Sequence, residues 1–102
     1  MVKRGEVYWV NLDPTLGTEI KKTRPALIVS PDDLNAHLPR VIVALLTSQG
    51  QPLACRPVVS FEGKSARILL DQLRSVDKSR LLGKMGDIEL ALWHPLLLEM
   101  LA

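Results

Sequence analysis

The chain has 102 residues, with 13 Lys plus Arg against 11 Asp plus Glu, for a net charge of +2. With 47% hydrophobic and 24% charged residues it is too apolar to be disordered, and its length suits one domain over residues 1–102. The longest apolar run, residues 41–46, falls far short of the roughly 20 residues that cross a bilayer, and MVKRGEVYWV lacks a signal-peptide core, so a cytoplasmic protein without membrane contact is expected.

Residues 6–12 alternate and are rich in strand formers, which predicts a strand. Asp13-Pro14 opens a long loop that runs to Thr23 and is broken at Gly17. Residues 26–29 predict a short buried strand, and Pro25 biases Arg24 towards extended backbone. Ser30-Pro31-Asp32-Asp33 reads as a helix start, with serine as the cap, and Pro39 stops that helix. Residues 40–47 give the clearest strand, and residues 48–52 a polar turn. A hairpin follows, with strands at 56–61 and 66–70 around Glu62-Gly63-Lys64-Ser65; Pro57 places the first at a sheet edge. Residues 74–76 predict one more short strand, and residues 77–82 a helical turn ended by Gly83. Asp87 is the expected cap of a last helix over residues 88–101, kinked or split by Pro95. Nearly every side of that helix is apolar, which predicts a homodimer that covers it. The sum is a small, strand-rich domain of five or six strands and two or three short helices.

The residues that carry chemistry are sparse. Cys55 alone makes no intrachain disulfide, and with His37 and His94 it does not make a usual structural zinc site, so no metal or cofactor is expected. No Gly-rich phosphate loop is present. Two basic segments, residues 19–24 and 74–84, are suited to phosphates. Polar side chains gather at strand ends: Arg24, then Thr47 and Ser48, then Asp71, Gln72 and Arg74. Strand ends of a rigid sheet fix a site well. Tyr8, Trp9 and Phe61 lie in strands, where packing in the core is the default.

These segments resemble the MazF/PemK/Kid family of toxin endoribonucleases. The likeness runs through Arg4-Gly5-Glu6-Val7-Tyr8-Trp9, Leu12-Asp13-Pro14, Gly17-Thr18-Glu19 and Thr23-Arg24-Pro25-Ala26-Leu27-Ile28-Val29-Ser30. It continues with Asn35, Thr47-Ser48 and Leu70-Asp71-Gln72-Leu73-Arg74-Ser75-Val76-Asp77. The resemblance implies a small SH3-like barrel with a C-terminal helix, of the CcdB/Kid/MazF kind, in a two-fold dimer. It also implies metal-independent cleavage of single-stranded RNA by 2′-OH attack, giving 2′,3′-cyclic phosphate and 5′-OH ends. A cognate antitoxin would inhibit it through a disordered tail that folds on the toxin. The catalytic residues implied are Arg24 and Thr47, with Glu19 as base. Lys21, Lys22 and Arg74 would hold phosphates, and Gln49, Asp71 and Gln72 would read bases. Thr23, Pro25 and Ser48 complete the RNA-binding set. Two departures stand out: Thr18 occupies the place of the Kid-type histidine, and Leu69 that of the Kid-type arginine, which removes its pairing with the aspartate. The alternative on the same scaffold is a non-enzymatic, CcdB-like toxin that binds DNA gyrase.

Overall fold

A computed structural model describes residues 1–12, 23–48 and 51–102. The order is β1 (Glu6–Asn11), β2 (Thr23–Ile28), α1 (Asp32–His37), β3 (Arg40–Thr47), β4 (Val58–Phe61), β5 (Lys64–Ile68), β6 (Arg74–Asp77), β7 (Leu81–Asp87) and α2 (His94–Leu101). Short 3₁₀ turns at Leu70–Gln72, Lys78–Arg80 and Leu90–Leu92 join the later elements. The seven strands form one curled sheet in the order β4-β5-β3-β2-β1-β7, with β6 also pairing β3. Every pairing is antiparallel. The expected mainly-β architecture with a C-terminal helix is therefore present.

The curled sheet separates two apolar cores. One lies under α2 and joins Val7, Leu27, Ala44, Leu46, Val59, Ile68, Leu70, Trp93 and Leu97. The other fills the inside of the curl with Val10, Ala26, Ile28, Val41, Val43, Leu45, Leu69 and Val76. Because β3 feeds alternate residues into both cores, it is apolar throughout rather than alternating.

Several expectations need correction. The helical turn expected over residues 77–82 is present as the 3₁₀ turn Lys78–Arg80, but it ends before Leu81, and residues 81–87 form β7, which pairs with β1. Two glycines and a lysine weaken that stretch as an isolated strand, but the partner edge decides. Asp87 accordingly ends a strand and caps no helix. The last helix is His94–Leu101, and Pro95 sits in its first turn, where its missing N–H costs nothing. Ser30 caps no helix either. Its hydroxyl donates to Asn35 Oδ1 and accepts the Ile42 N–H at 3.1 Å, while Asn35 Nδ2 donates to the Ser30 carbonyl at 2.9 Å. Both residues are buried, so this polar pair ties α1 to β3 inside the fold. The β4–β5 hairpin turns through Glu62 and Gly63, both at positive φ (52° and 77°), the geometry that matches strand twist in a two-residue turn.

A second polar anchor fixes the start of β1. Glu6 accepts the Lys3 N–H at 2.7 Å and the Tyr8 hydroxyl at 3.1 Å, and lies 2.8 Å from Lys84 Nζ on β7. Burial pushes its carboxyl up, but the Lys84 ammonium, the Lys3 N–H and the Tyr8 hydroxyl outweigh that and hold it below the usual carboxylate value. A lowered folded-state value means the stabilisation is complete above the unfolded pKa and disappears as pH falls through the folded one.

Two outcomes are expected. Asn35→Ala leaves the Ser30 hydroxyl and carbonyl short of partners in a buried place and costs about 1–3 kcal/mol, read from urea unfolding. Glu6→Gln flattens the loss of urea midpoint on acidification below about pH 4.5, where an ordinary carboxylate begins to protonate; an unchanged acid limb would remove Glu6 as its source.

Candidate active site at the strand ends

The β2–β3 pairing runs Ala26↔Leu45, Leu27↔Ala44 and Ile28↔Val43. The ladder ends there, with Arg24 two residues before it on β2 and Thr47 two residues beyond it on β3. On its other side Arg24 is opposite Val10 of β1. Arg24 is exposed and Thr47 half-buried. Both line an open cleft of about 460 Å³, together with Trp9, Pro25, Leu46, Ser48 and Lys64. The sequence reading and the structure thus agree that Arg24, Pro25, Thr47 and Ser48 come together. The Arg24 guanidinium has no hydrogen bond or ion pair with any described residue.

Two lining residues escaped the sequence reading. Trp9 is 42% exposed and faces the cleft instead of the core. It pairs with Pro25 across β1–β2, and that pairing holds it at the cleft wall. Lys64 begins β5 and brings a cation to the rim. Turn residues at 62–65 concealed it, since the strand starts two residues earlier than predicted. No carboxylate or imidazole belongs to the described lining. Glu19, Lys21, Lys22 and Gln49 lie outside the described residues.

The remaining predicted residues sit elsewhere. Thr23 begins β2 opposite Asn11. Asp71 and Gln72 are in the 3₁₀ turn after β5 and do not line the cleft. Asp71 is bound by Arg56, whose Nε and Nη2 donate to its two carboxylate oxygens at 2.9 and 2.8 Å. That fork, above all, holds the Asp71 carboxyl below its ordinary value and Arg56 above its own. Leu69 is buried where a pairing arginine was absent by sequence, and Arg56 supplies the partner from 15 residues away. The backbone of Arg56 is held in turn by Arg67, whose Nη1 donates to its carbonyl at 3.1 Å. Arg67 is opposite Thr47 in the β3–β5 register, so this chain of contacts ends beside the cleft. Arg74 opens β6 and lines a different, smaller pocket. Cys55 is half-buried against Leu96 and Met100. His37 ends α1, with Nδ1 2.8 Å from the Asp33 carbonyl oxygen.

The comparisons with known proteins fit this geometry. The family model for the PemK-like, MazF-like toxin of type II toxin–antitoxin systems matches residues 3–97. Endoribonuclease EndoA of Bacillus subtilis (strain 168) is 36% identical over 95 residues, covering 87% of this chain and 82% of that protein. The crystal structure of MazF (Form-I) from Deinococcus radiodurans superposes with a TM-score of 0.77 at 27% identity, over 98% of this chain and 96% of that one. A MazE–MazF structure (Form-II) from the same organism gives 0.80 at 25% identity, over 98% and 95%. With the match spanning both strand ends and the helix that follows them, the chain belongs to the PemK-like, MazF-like toxins of type II toxin–antitoxin systems, an endoribonuclease family.

Proposed function

We propose that the chain cleaves single-stranded RNA at a short sequence without a metal, by attack of a 2′-OH on the adjacent phosphorus. The observation that carries this is that Arg24 of β2 and Thr47 of β3 line one open cleft. In the reaction the O2′–P bond forms and the P–O5′ bond breaks, giving a 2′,3′-cyclic phosphate and a 5′-OH. Negative charge grows on the non-bridging oxygens as the nucleophile adds. An exposed guanidinium answers it with two parallel N–H donors, and the Thr47 hydroxyl adds a third. A guanidinium is a donor with no acceptor, so it stabilises charge and takes no proton. Glu19 is our proposed base for the 2′-OH proton, and the departing 5′ oxygen takes a proton from water.

Trp9 and Lys64 extend the site. The exposed indole offers a face on which one unpaired base stacks, and Lys64 neutralises a neighbouring phosphate. The set Lys21, Lys22, Thr23, Pro25, Ser48, Gln49, Gln72 and Arg74 completes the proposed RNA contacts. Asp71 reads bases only through whatever acceptor capacity the Arg56 fork leaves to it. We also propose a homodimer, inhibited by a cognate antitoxin whose tail folds on the toxin. The exposed leucines of the last turn and helix, Leu90, Leu92, Leu98 and Leu101, support a surface that is covered in use.

The test is incubation of the purified protein with mixed single-stranded RNA in EDTA, with mapping of the cut ends. Cuts at one short motif with cyclic phosphate ends are expected, and none on all-DNA strands; no cleavage overturns the reading. Arg24→Ala lowers kcat on the order of 10²–10³, and cutting that survives it moves the centre elsewhere. Trp9→Ala raises KM by about fivefold or more, from the loss of at least about 1 kcal/mol of stacking, with a smaller effect on kcat; an unchanged KM removes the stacking role.

A further inference from the structure

We propose that Arg67 is a specificity-determining residue, which reads the acceptor edge of a guanine next to the phosphodiester that is cleaved. This rests on the RNA reading above and adds one base to it. Arg67 is opposite Thr47 in the β3–β5 register and opposite Val58 in the β4–β5 register. Directly opposed residues of antiparallel strands share a face, so Thr47, Arg67 and Val58 form one row across three strands. Ser65, two residues before Arg67 on β5, belongs to the same face.

A pocket of about 200 Å³ lies along this row, lined by Ser48, Val58, Ser65, Ala66 and Arg67. Ser48 also lines the cleft, so the pocket adjoins the site of Arg24 and Thr47. A nucleotide flanking the reacting one is the part of a bound strand that reaches it.

The guanidinium is tethered there. Arg67 Nη1 donates to the Arg56 carbonyl at 3.1 Å. The backbone that offers this carbonyl is itself held, by the Arg56 fork on Asp71 and by the Ile68 N–H, which donates to the Pro57 carbonyl at 3.0 Å. The tether leaves Nε and Nη2 without a described partner, and those two nitrogens make a parallel fork. No carboxylate belongs to the described lining, so none competes for them.

The lining selects the occupant. A phosphate would set its charge against Ala66 and the 54% exposed Val58. A base covers these with an apolar face and brings acceptors on its edge. Guanine carries O6 and N7 side by side, the pair that a guanidinium fork matches, whereas adenine sets an amino donor beside its N7. In a single strand that edge is open to a side chain.

The cut motif is mapped on mixed single-stranded RNA in EDTA, and one guanine is expected at a fixed place beside the scissile phosphodiester. Replacing it by 7-deazaguanine, which lacks the N7 acceptor, lowers kcat/KM by about tenfold. Arg67→Ala lowers kcat/KM on the guanine strand about tenfold more than on a strand with adenine at that place. Arg67→Lys keeps the charge without the fork and does not restore the preference. Full restoration by lysine, or a loss equal for all four bases, assigns Arg67 to charge or structure and overturns the proposal, as does a motif with no guanine there. If circular dichroism shows Arg67→Ala unfolded, the 7-deazaguanine comparison on the wild-type protein decides alone. In parallel, binding is measured with fully 2′-O-methylated uridine strands that hold one guanine or one 7-deazaguanine. Tighter binding of guanine that Arg67→Ala abolishes supports the subsite even where no RNA is cut. RNA that is cut with no difference between guanine and 7-deazaguanine overturns the subsite and leaves the cleavage reading standing; neither cutting nor binding overturns both.

Discussion

Strand β3 has no polar face. Residues 41–46 send alternate side chains into the core under α2 and into the core inside the curl, and both must be sealed before the strand is stable. That need recruits β2 along one edge, and β6 and then β5 along the other. Where the apolar run stops, at Thr47, the sheet can no longer be closed over. A polar side chain emerges there, on backbone paired to β5 just beyond the ladder with β2. The geometry of the cleft is thus a by-product of how the core ends, and Arg24 arrives by the same route from the start of β2.

The polar interior supports this frame at few points. Ser30 and Asn35 bind each other and β3, which fixes α1 without a conventional cap. Lys78 Nζ donates to the Asn35 carbonyl, linking the turn after β6 to the same place. Glu6 and Lys84 join β1 to β7. The Arg56–Asp71 fork closes the segment before β4 onto the turn after β5. Such buried or half-buried pairs specify arrangement more than they add stability, since desolvation offsets much of their attraction.

Much of this was legible in the residues. Apolar alternation and turn chemistry identify β1, β3, the hairpin and β6, because in these stretches local preference and tertiary partner agree. They disagree at β7, where Leu81-Leu82-Gly83-Lys84-Met85-Gly86-Asp87 is a strand only because β1 offers an edge. They disagree again at residues 88–93, where an apolar run reads as helix but Trp93 is drawn fully into the core and the helix begins after it. Arg24, Pro25, Thr47 and Ser48 were found from their place at strand ends and from family likeness. Trp9 was missed because an aromatic in a strand is ordinarily inside. Arg56 was missed because nothing local marks a pairing that spans 15 residues.

The β4–β5 hairpin is attached to the barrel differently from the other strands. It meets β3 through Leu46↔Ile68 and Thr47↔Arg67, beside the Leu69 N–H bond to the Leu45 carbonyl. The rest of the sheet is zipped by longer ladders. The seam is short, and the hairpin is held besides by Val59 and Ile68, which it buries in the core under α2. The cleft therefore takes one wall from the main sheet, with Arg24 and Thr47, and another from the hairpin, with Lys64, so a change in the hairpin's core residues reaches the cleft without touching its polar lining.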